Sequence, residues 1–392
     1  VFTIVFCFFG WTLGWILFGR TKAVRQLAGA SIATHSEEVL STPNALGNAA
    51  HGRPFDVIIP ARNEADSIGL LLSDLAALPS AGNRVVVVND HSTDRTAHIA
   101  SEFAGVEVID AADLPEGWTG KSWACHSGVE HLRNSSTDTD RGLIFFDADV
   151  RVEQTVAQLL VDYQKASGAL VSVQPWHETK RPYEKLSALF NVIALMGTAM
   201  ASRTKSRGAF GPVLVTSDEN YLLAGGHEAV RNEVVEDLAL AANYRSSGQP
   251  VELFRGAELV KFRMYPNGLR QLCEGWAKNF ATGAGATHPL RLLAAVLWLT
   301  SLGSATGLAL EAAIGSQPLW LALVVYFAFT AQLVWMFHHV GNFGFRTAVA
   351  FPVLLAFFFC IFGWSLWRTY VRRSVTWRGR AIPLGTQSHK PC

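Results

Sequence analysis

Three short apolar runs, each closed by a polar loop, limit this chain to few folds. Phe55-Asp-Val-Ile-Ile-Pro60 runs into Ala61-Arg62-Asn63-Glu64. Arg84-Val-Val-Val-Val88 runs into Asn89-Asp90-His91-Ser92-Thr93-Asp94, and Leu143-Ile-Phe-Phe146 into Asp147-Ala148-Asp149. Helical patterns occupy residues 67–78 and 95–103, and 106–109 reads as a further strand. Apolar strands alternating with helices at this spacing predict an α/β domain with a mostly parallel sheet. In such a sheet the polar loops share one rim, and ligands bind outside the carboxyl ends of the strands.

Asp147 and Asp149 at the end of a strand suit a hard divalent cation, Mg2+ or Mn2+, that keeps positions open for phosphate oxygens. Turn chemistry alone also places Asp after strands, so the pair gains meaning from its company. A second acidic pair, Glu236-Asp237, follows Gly225-Gly226-His227 and opens a helical pattern through Leu240 and Tyr244. The helix dipole by itself favours acids there. Between the two lies Leu114-Pro-Glu-Gly117-Trp118-Thr-Gly120-Lys121-Ser-Trp123-Ala-Cys125. Its glycines allow close backbone approach and positive φ, and Lys121 can set a point charge against a diphosphate. The alternative is a surface turn with a solvated lysine. His177, after a strand over 170–173, is either an acceptor contact or a partly buried polar residue.

Hydrophobic residues make up 49% of the 392, and charged ones 17%, which is apolar for a soluble enzyme. The excess sits at the two ends. Residues 1–18 carry no charge and are followed by Arg20, Lys22 and Arg25, the pattern of a membrane anchor with a cytoplasmic C-terminal end rather than a signal peptide. Residues 292–314, 319–337 and 347–367 are each long enough to span. Trp298, Trp320, Trp335, Trp364 and Trp367 lie at or toward their ends. Arg368, Arg372, Arg373, Arg378 and Arg380 prefer the cytoplasm, either as a stop-transfer anchor or as a contact for anionic lipid. Four full crossings would put them outside. One segment is therefore re-entrant or half inserted, which we place among the first two C-terminal segments, or the charge rule fails. Residues 186–200 are apolar on most faces and read as an interfacial helix near the acceptor path, with a core helix as the alternative. A net charge of +1 gives no field that steers nucleic acid. The five cysteines have no paired spacing and suggest neither disulfides nor a zinc site.

The motifs Ile59-Pro60-Ala61-Arg62-Asn63-Glu64, Val88-Asn89-Asp90-His91-Ser92-Thr93-Asp94 and Asp147-Ala148-Asp149 resemble family 2 glycosyltransferases with the GT-A fold, over roughly residues 54–285. That family usually has two adjacent Asp in the second motif, where this chain has Asn89. The run from 114 to 125 and Glu274-Gly275-Trp276-x-Lys278-Asn279 look like the members that glycosylate carotenoid acids, and are close to hopanoid-associated members. The resemblance implies a metal, Mn2+ or Mg2+, on Asp149 and Asp147. It implies a nucleotide-sugar site of Pro60, Arg62, Glu64, Asp90, Lys121 and Asp147, and Asp237 as general base beside Glu236. Trp276, Lys278, Glu274 and Trp118 become acceptor or diphosphate contacts. Processive relatives often carry Gln-x-x-Arg-Trp. Here Leu272 and Gly275 stand at the Gln and Arg positions, which implies a single transfer.

The expected reaction is inverting transfer of a hexose, glucose from UDP-glucose, onto a membrane lipid such as a carotenoid or other terpenoid. Alternatives are a polyprenyl phosphate, glycerolipid or sphingolipid acceptor, a processive polysaccharide synthase, and a degenerate membrane assembly factor. The expected organisation is an anchor over 1–19, a linker over 20–53 and a GT-A catalytic domain over 54–260. An interfacial helical segment over 261–290, membrane helices over 291–370 and a basic tail over 371–392 follow. The whole is expected as a multi-pass protein of the cell membrane, with its catalytic domain facing the cytoplasm.

Overall fold

The computed structural model describes residues 2–19, 21–27, 53–78, 82–135, 140–198, 208–233, 235–368, 374–377 and 380–383. Most of the expected linker and tail lies outside these residues. The first half holds α1 (Phe2–Phe18), β1 (Phe55–Ala61), α2 (Ile68–Asp74), β2 (Arg84–Asn89), α3 (Thr96–Ser101), β3 (Val106–Asp110), α4 (Gly120–Asn134), β4 (Gly142–Phe146) and β5 (Val150–Val152). Next come α5 (Val156–Ser167), β6 (Leu170–Gln174), β7 (Trp176–His177), a 3-10 turn (Pro182–Ser187), α6 (Ala188–Gly197), β8 (Val213–Ser217), α7 (Asp218–Leu223) and α8 (Glu236–Ser246). Then follow β9 (Val251–Arg255), β10 (Val260–Phe262), α9 (Leu269–Ala286), α10 (Pro289–Ala313), α11 (Leu319–Val340), α12 (Phe345–Val349) and α13 (Phe351–Trp367). A hairpin of β11 (Ser374–Trp377) and β12 (Arg380–Pro383) comes last.

The main sheet has the order β3-β2-β1-β4-β8-β6-β9. Only β8 runs against its neighbours, antiparallel to both β4 and β6. The expected mostly parallel sheet is therefore present. β4, β6 and β8 are buried at every residue, as continuous apolar strands covered on both faces should be. Pro60 sits in a central strand without harm. It pairs with Val88, but pairing of β1 with β4 ends at Ile58–Phe145, so its missing N–H leaves no gap in that ladder.

A helical bundle packs on this α/β layer. α1 is more than a tether: Cys7, Gly10, Gly14, Leu17 and Phe18 form its buried face. A β-carbon on Gly10 would strike Ser301, and one on Gly14 would lie 2.7 Å from the Gln332 carboxamide, so two small residues set the close approach. α10 starts beside α6, where Arg291 donates to the Met196 carbonyl at 3.1 Å. α11 returns to the α/β layer: Trp176 donates to the His338 carbonyl at 3.2 Å, and Thr179 N donates to Asn342 at 2.6 Å.

The third C-terminal segment departs from expectation. α12 leaves the α/β layer after Asn342 and reaches the middle of α11, where Phe351 packs on Tyr326 with ring centres 4.7 Å apart. α13 then comes back, with Phe358 against Phe190 at 5.0 Å and Ser365 donating to the Ala277 carbonyl at 2.7 Å. One end of this hairpin meets the α/β layer at Asn342, and the other meets α6 and α9. Within the fold, the segment that turns back is the third one, while α10 and α11 are each a single helix. Hydropathy counts apolar residues and is blind to direction. The local signal is Pro352, which opens a new helix after Ala350 and has no N–H to continue the old one.

α6 follows the core alternative rather than the interfacial reading. Leu189, Phe190, Asn191, Val192, Leu195 and Met196 are buried, and it packs against α1, α10, α11 and α13. Around it the bundle keeps an apolar core, buries a few polar side chains and has an apolar surface. Gln332, Ser301 and Ser365 are fully buried, whereas Phe2, Phe8, Leu310, Trp320 and Val353 are exposed. α10 and α11 are long and apolar enough to cross a membrane, and α1 and α13 are shorter apolar helices.

Candidate active site

β1 and β2 end side by side, with Ala61 opposite Asn89, so their loops face each other. Asp90 is buried, and its N–H donates to the Ala61 carbonyl at 2.8 Å. Arg62 holds it from the neighbouring loop, with Nη1 3.0 Å from the Asp90 carbonyl and 3.3 Å from Oδ2. Asn63 and His91 have φ of 53° and 52°, a region these residue types visit more readily than most. Asn63 in turn accepts from Thr93 N at 2.8 Å. The Glu64 carboxylate accepts from the Ser67 hydroxyl at 2.8 Å. Asn89 explains its departure from the acidic pattern: its amide donates to Asp110 at 2.7 Å and its oxygen accepts from Ser92 N at 3.2 Å. An aspartate there would face Asp110 with like charge.

β4 delivers Asp147 and Asp149 to the same rim. Ala148 between them is buried and both acids are half-buried. α4 begins at Gly120, capped by Thr119, whose hydroxyl accepts from Ser122 N. Gly120 is thus the first helical residue and not a positive-φ turn, a role that only Gly117 fills, at φ 81°. The helix start aims Lys121 into the site, Nζ lying 2.7 Å from Asp147 Oδ1 and 3.1 Å from Glu236 Oε1. Burial works against the Lys121 ammonium, but the charges of Asp147 and Glu236 hold it well above its ordinary value.

Glu236 and Asp237 open α8, so they stand where the helix dipole favours acids. Their environments differ. Burial opposes the Glu236 charge, yet Lys121 keeps this acid below the usual carboxylate range, and Lys278 adds to the effect. Burial and then the Glu236 charge push Asp237 up to about 7. Asp237 accepts from Gly211 N at 2.7 Å and from Leu238 N at 2.9 Å. One acid is the ionised partner of Lys121, and the other titrates near neutrality. Gly211 escaped the sequence reading. A β-carbon there would lie 3.0 Å from Lys121 Nζ and 3.3 Å from Asp237 Oδ2, so the backbone itself is a wall of the site.

The residues expected on the acceptor side separate. Trp276 stacks on Phe190 at 4.8 Å, meets the edge of Tyr265 at 5.9 Å and donates to Ser187 at 2.9 Å. Lys278 is close enough for its charge to act on Glu236. Glu274 is exposed and paired with Arg270 one turn away at 2.9 Å, which spends its carboxylate on a helix-surface pair. Trp118 packs against Trp123 and His126 at 5.1 Å and 5.0 Å. His177 is fully buried between Phe262 and Phe343, with Nδ1 3.0 Å from Asn191, and burial lowers its pKa to about 3. It is core, joining the two layers.

Among the described residues, no group of three or more His, Cys, Asp or Glu could hold a metal ion. The two half-buried carboxylates of Asp147 and Asp149 form a partial donor set. That set fits a cation completed by phosphate oxygens and water, and does not fit a closed protein cage.

The strand order and this acidic, lysine-centred rim define a transferase with the GT-A fold. Residues 56–211 match the family described as Glycosyl transferase family 2, and the chain belongs to that family of enzymes. It is 40% identical over 345 residues to the 4,4'-diaponeurosporenoate glycosyltransferase of Staphylococcus aureus strain MRSA252, covering 86% of this chain and 90% of that protein. The enzyme of the same name from strain USA300 is 39% identical over the same length. Among solved structures, the mannosyltransferase PcManGT from Pyrobaculum calidifontis in complex with GDP-Man and Mn2+ is similar, with a TM-score of 0.51 at 17% identity. That likeness covers 92% of this chain and 99% of that one, and speaks to the fold alone.

Proposed function

We propose that this enzyme transfers glucose from UDP-glucose, with inversion, onto the carboxyl end of a carotenoid-type acid held in a membrane. The observation that carries the reading is Lys121, which joins Asp147 of the strand-end pair to Glu236 of the second acidic pair, with Asp237 alongside. The identity to diaponeurosporenoate glycosyltransferases over most of both chains supports the acceptor class.

In the reaction, the acceptor oxygen attacks C1 of the hexose on the face opposite the diphosphate. The C1–O bond breaks, and its electron pair leaves with UDP. Asp90, braced by Arg62, and Glu64 bind the nucleoside beside the Pro60 strand end. Lys121 and Lys278 place positive charge where the diphosphate develops negative charge. Asp149, with Asp147, would hold a divalent cation, which when bound neutralises the same leaving group. A hydroxyl acceptor gives its proton to Asp237. A carboxylate acceptor has none to give, and a neutral Asp237 can instead donate a hydrogen bond to it. The Tyr265 ring fills the space over Gly275, which accords with one transfer per acceptor.

The exposed apolar faces of α1, α10, α11 and α13 suit a bilayer. Lys22, Arg25 and Arg368 lie at the helix ends nearest the α/β layer, and the preference of such charges for the cytoplasm supports a cytoplasmic position for that layer. The test is purified protein in detergent with UDP-glucose, Mn2+ and diaponeurosporenoate. A coloured, alkali-labile glucosyl ester is expected, with Asp149→Ala slower by about 100-fold or more. A colourless glycolipid formed from total lipid, with the polyene acid untouched, overturns the acceptor. No product with any sugar nucleotide overturns the reading.

A further inference from the structure

Tyr265 is held in place by more than its own preferences. It has φ 59°, in the left-handed region that bulky residues avoid, and it precedes a proline, which narrows its backbone further. Three neighbours fix it there. The Tyr183 hydroxyl lies 2.9 Å from both the Tyr265 and Pro266 carbonyls and accepts from Gly268 N at 2.9 Å, pinning the turn. Gly275 makes the hole that receives the ring: a β-carbon on Gly275 would overlap ring carbons and lie 2.7 Å from the hydroxyl oxygen. The edge of Trp276 closes the side, its own face stacked on Phe190 in the apolar bundle.

All this strain and support orients one phenol. Its hydroxyl has no hydrogen-bond partner among the described residues and stays open to solvent, while the ring is half-buried. Strain of this kind persists where the surroundings over-determine it, often at ligand sites. Asp149 is near enough for its charge, after burial, to raise the Tyr265 pKa. The ring therefore sits between the apolar bundle and the acidic rim.

We propose that the Tyr265 hydroxyl binds an oxygen of the acceptor's reacting end group and sets it against the Asp147–Asp149 rim. The inference rests on the transfer reading given above and adds the residue that positions the acceptor. The ligand class is a long apolar molecule whose end carries a hydrogen-bond acceptor, as a carboxylate does.

The experiment compares wild type, Tyr265→Phe and Tyr265→Ala in detergent with UDP-glucose and diaponeurosporenoate, and measures UDP binding by calorimetry. Tyr265→Phe keeps the ring in its hole and deletes only the hydroxyl. The acceptor KM should rise about 10-fold, the worth of one hydrogen bond to a charged group, while the Kd for UDP stays at the wild-type value. Tyr265→Ala should lose more. An unchanged acceptor KM in Tyr265→Phe overturns the inference, and so does equal weakening of UDP and acceptor, which marks a structural role. Formation of product by wild type tests the transfer reading separately, so the two can fail independently.

Discussion

Asp237 and Glu236 are adjacent in sequence but differ in how readily they ionise, and the difference decides how the reaction should answer to pH. With Asp237 poised near 7, it is protonated below that pH and ionised above it. A hydroxyl acceptor needs the ionised form, so its transfer rate should climb with pH and level off above about 7. A carboxylate acceptor is repelled by the ionised form, so its rate should fall across the same interval. Asp237→Asn should abolish transfer to an alcohol and should flatten the pH profile of transfer to an acid while retaining activity. A pH–rate profile of kcat/KM with each acceptor type checks both signs. At this scale Asp147, Asp149, Lys121, Glu236 and Asp237 were legible, because each is a charged residue beside a strand end or helix start. Tyr265 and Gly211 were not. The first matters through a strained backbone and a hole made by Gly275 ten residues on, and the second through the space it leaves between two side chains.

Elements read from periodicity were those whose surroundings are simple. β1, β2 and β4 showed as apolar runs ended by polar loops, because both faces of each strand are covered. β8, reversed between β4 and β6, has an equally apolar run, but its direction is set by tertiary pairing that no local pattern records. α6 was misplaced because an apolar helix buried between two layers and one lying in an interface have the same composition. α1 carries a sharper signal in Gly10 and Gly14, four residues apart on its buried face. Gly14→Leu should drive it from α10 and cost about 1–3 kcal/mol through overpacking. Phe8→Ala on the exposed face should leave thermal stability in detergent nearly unchanged. Equal effects from the two would mean that α1 is only a tether.

For the whole molecule, the turn between α12 and α13 bears on the membrane arrangement proposed above, in which it makes the number of crossings odd. α1, α10 and α11 traverse the bundle, while the last hairpin starts at the α/β layer and ends against α9. In a background without native cysteines, Arg368→Cys should react with a membrane-impermeant maleimide from the same side as Glu102→Cys in the catalytic layer. Ser316→Cys, in the exposed loop between α10 and α11, should react only from the other side. Labelling of Arg368→Cys together with Ser316→Cys would restore a fourth crossing. The returning hairpin also bears on how the protein enters a charged bilayer. Carrying one positive charge outward against the membrane potential takes about 2.3 kcal/mol per 100 mV, and a fourth crossing would load that work onto Arg368 and the arginines after it. In that proposed arrangement the loop that travels across, Gly315-Ser-Gln-Pro318, holds no charge, and the one charge beside it, Glu311, is negative and moves outward with the potential rather than against it.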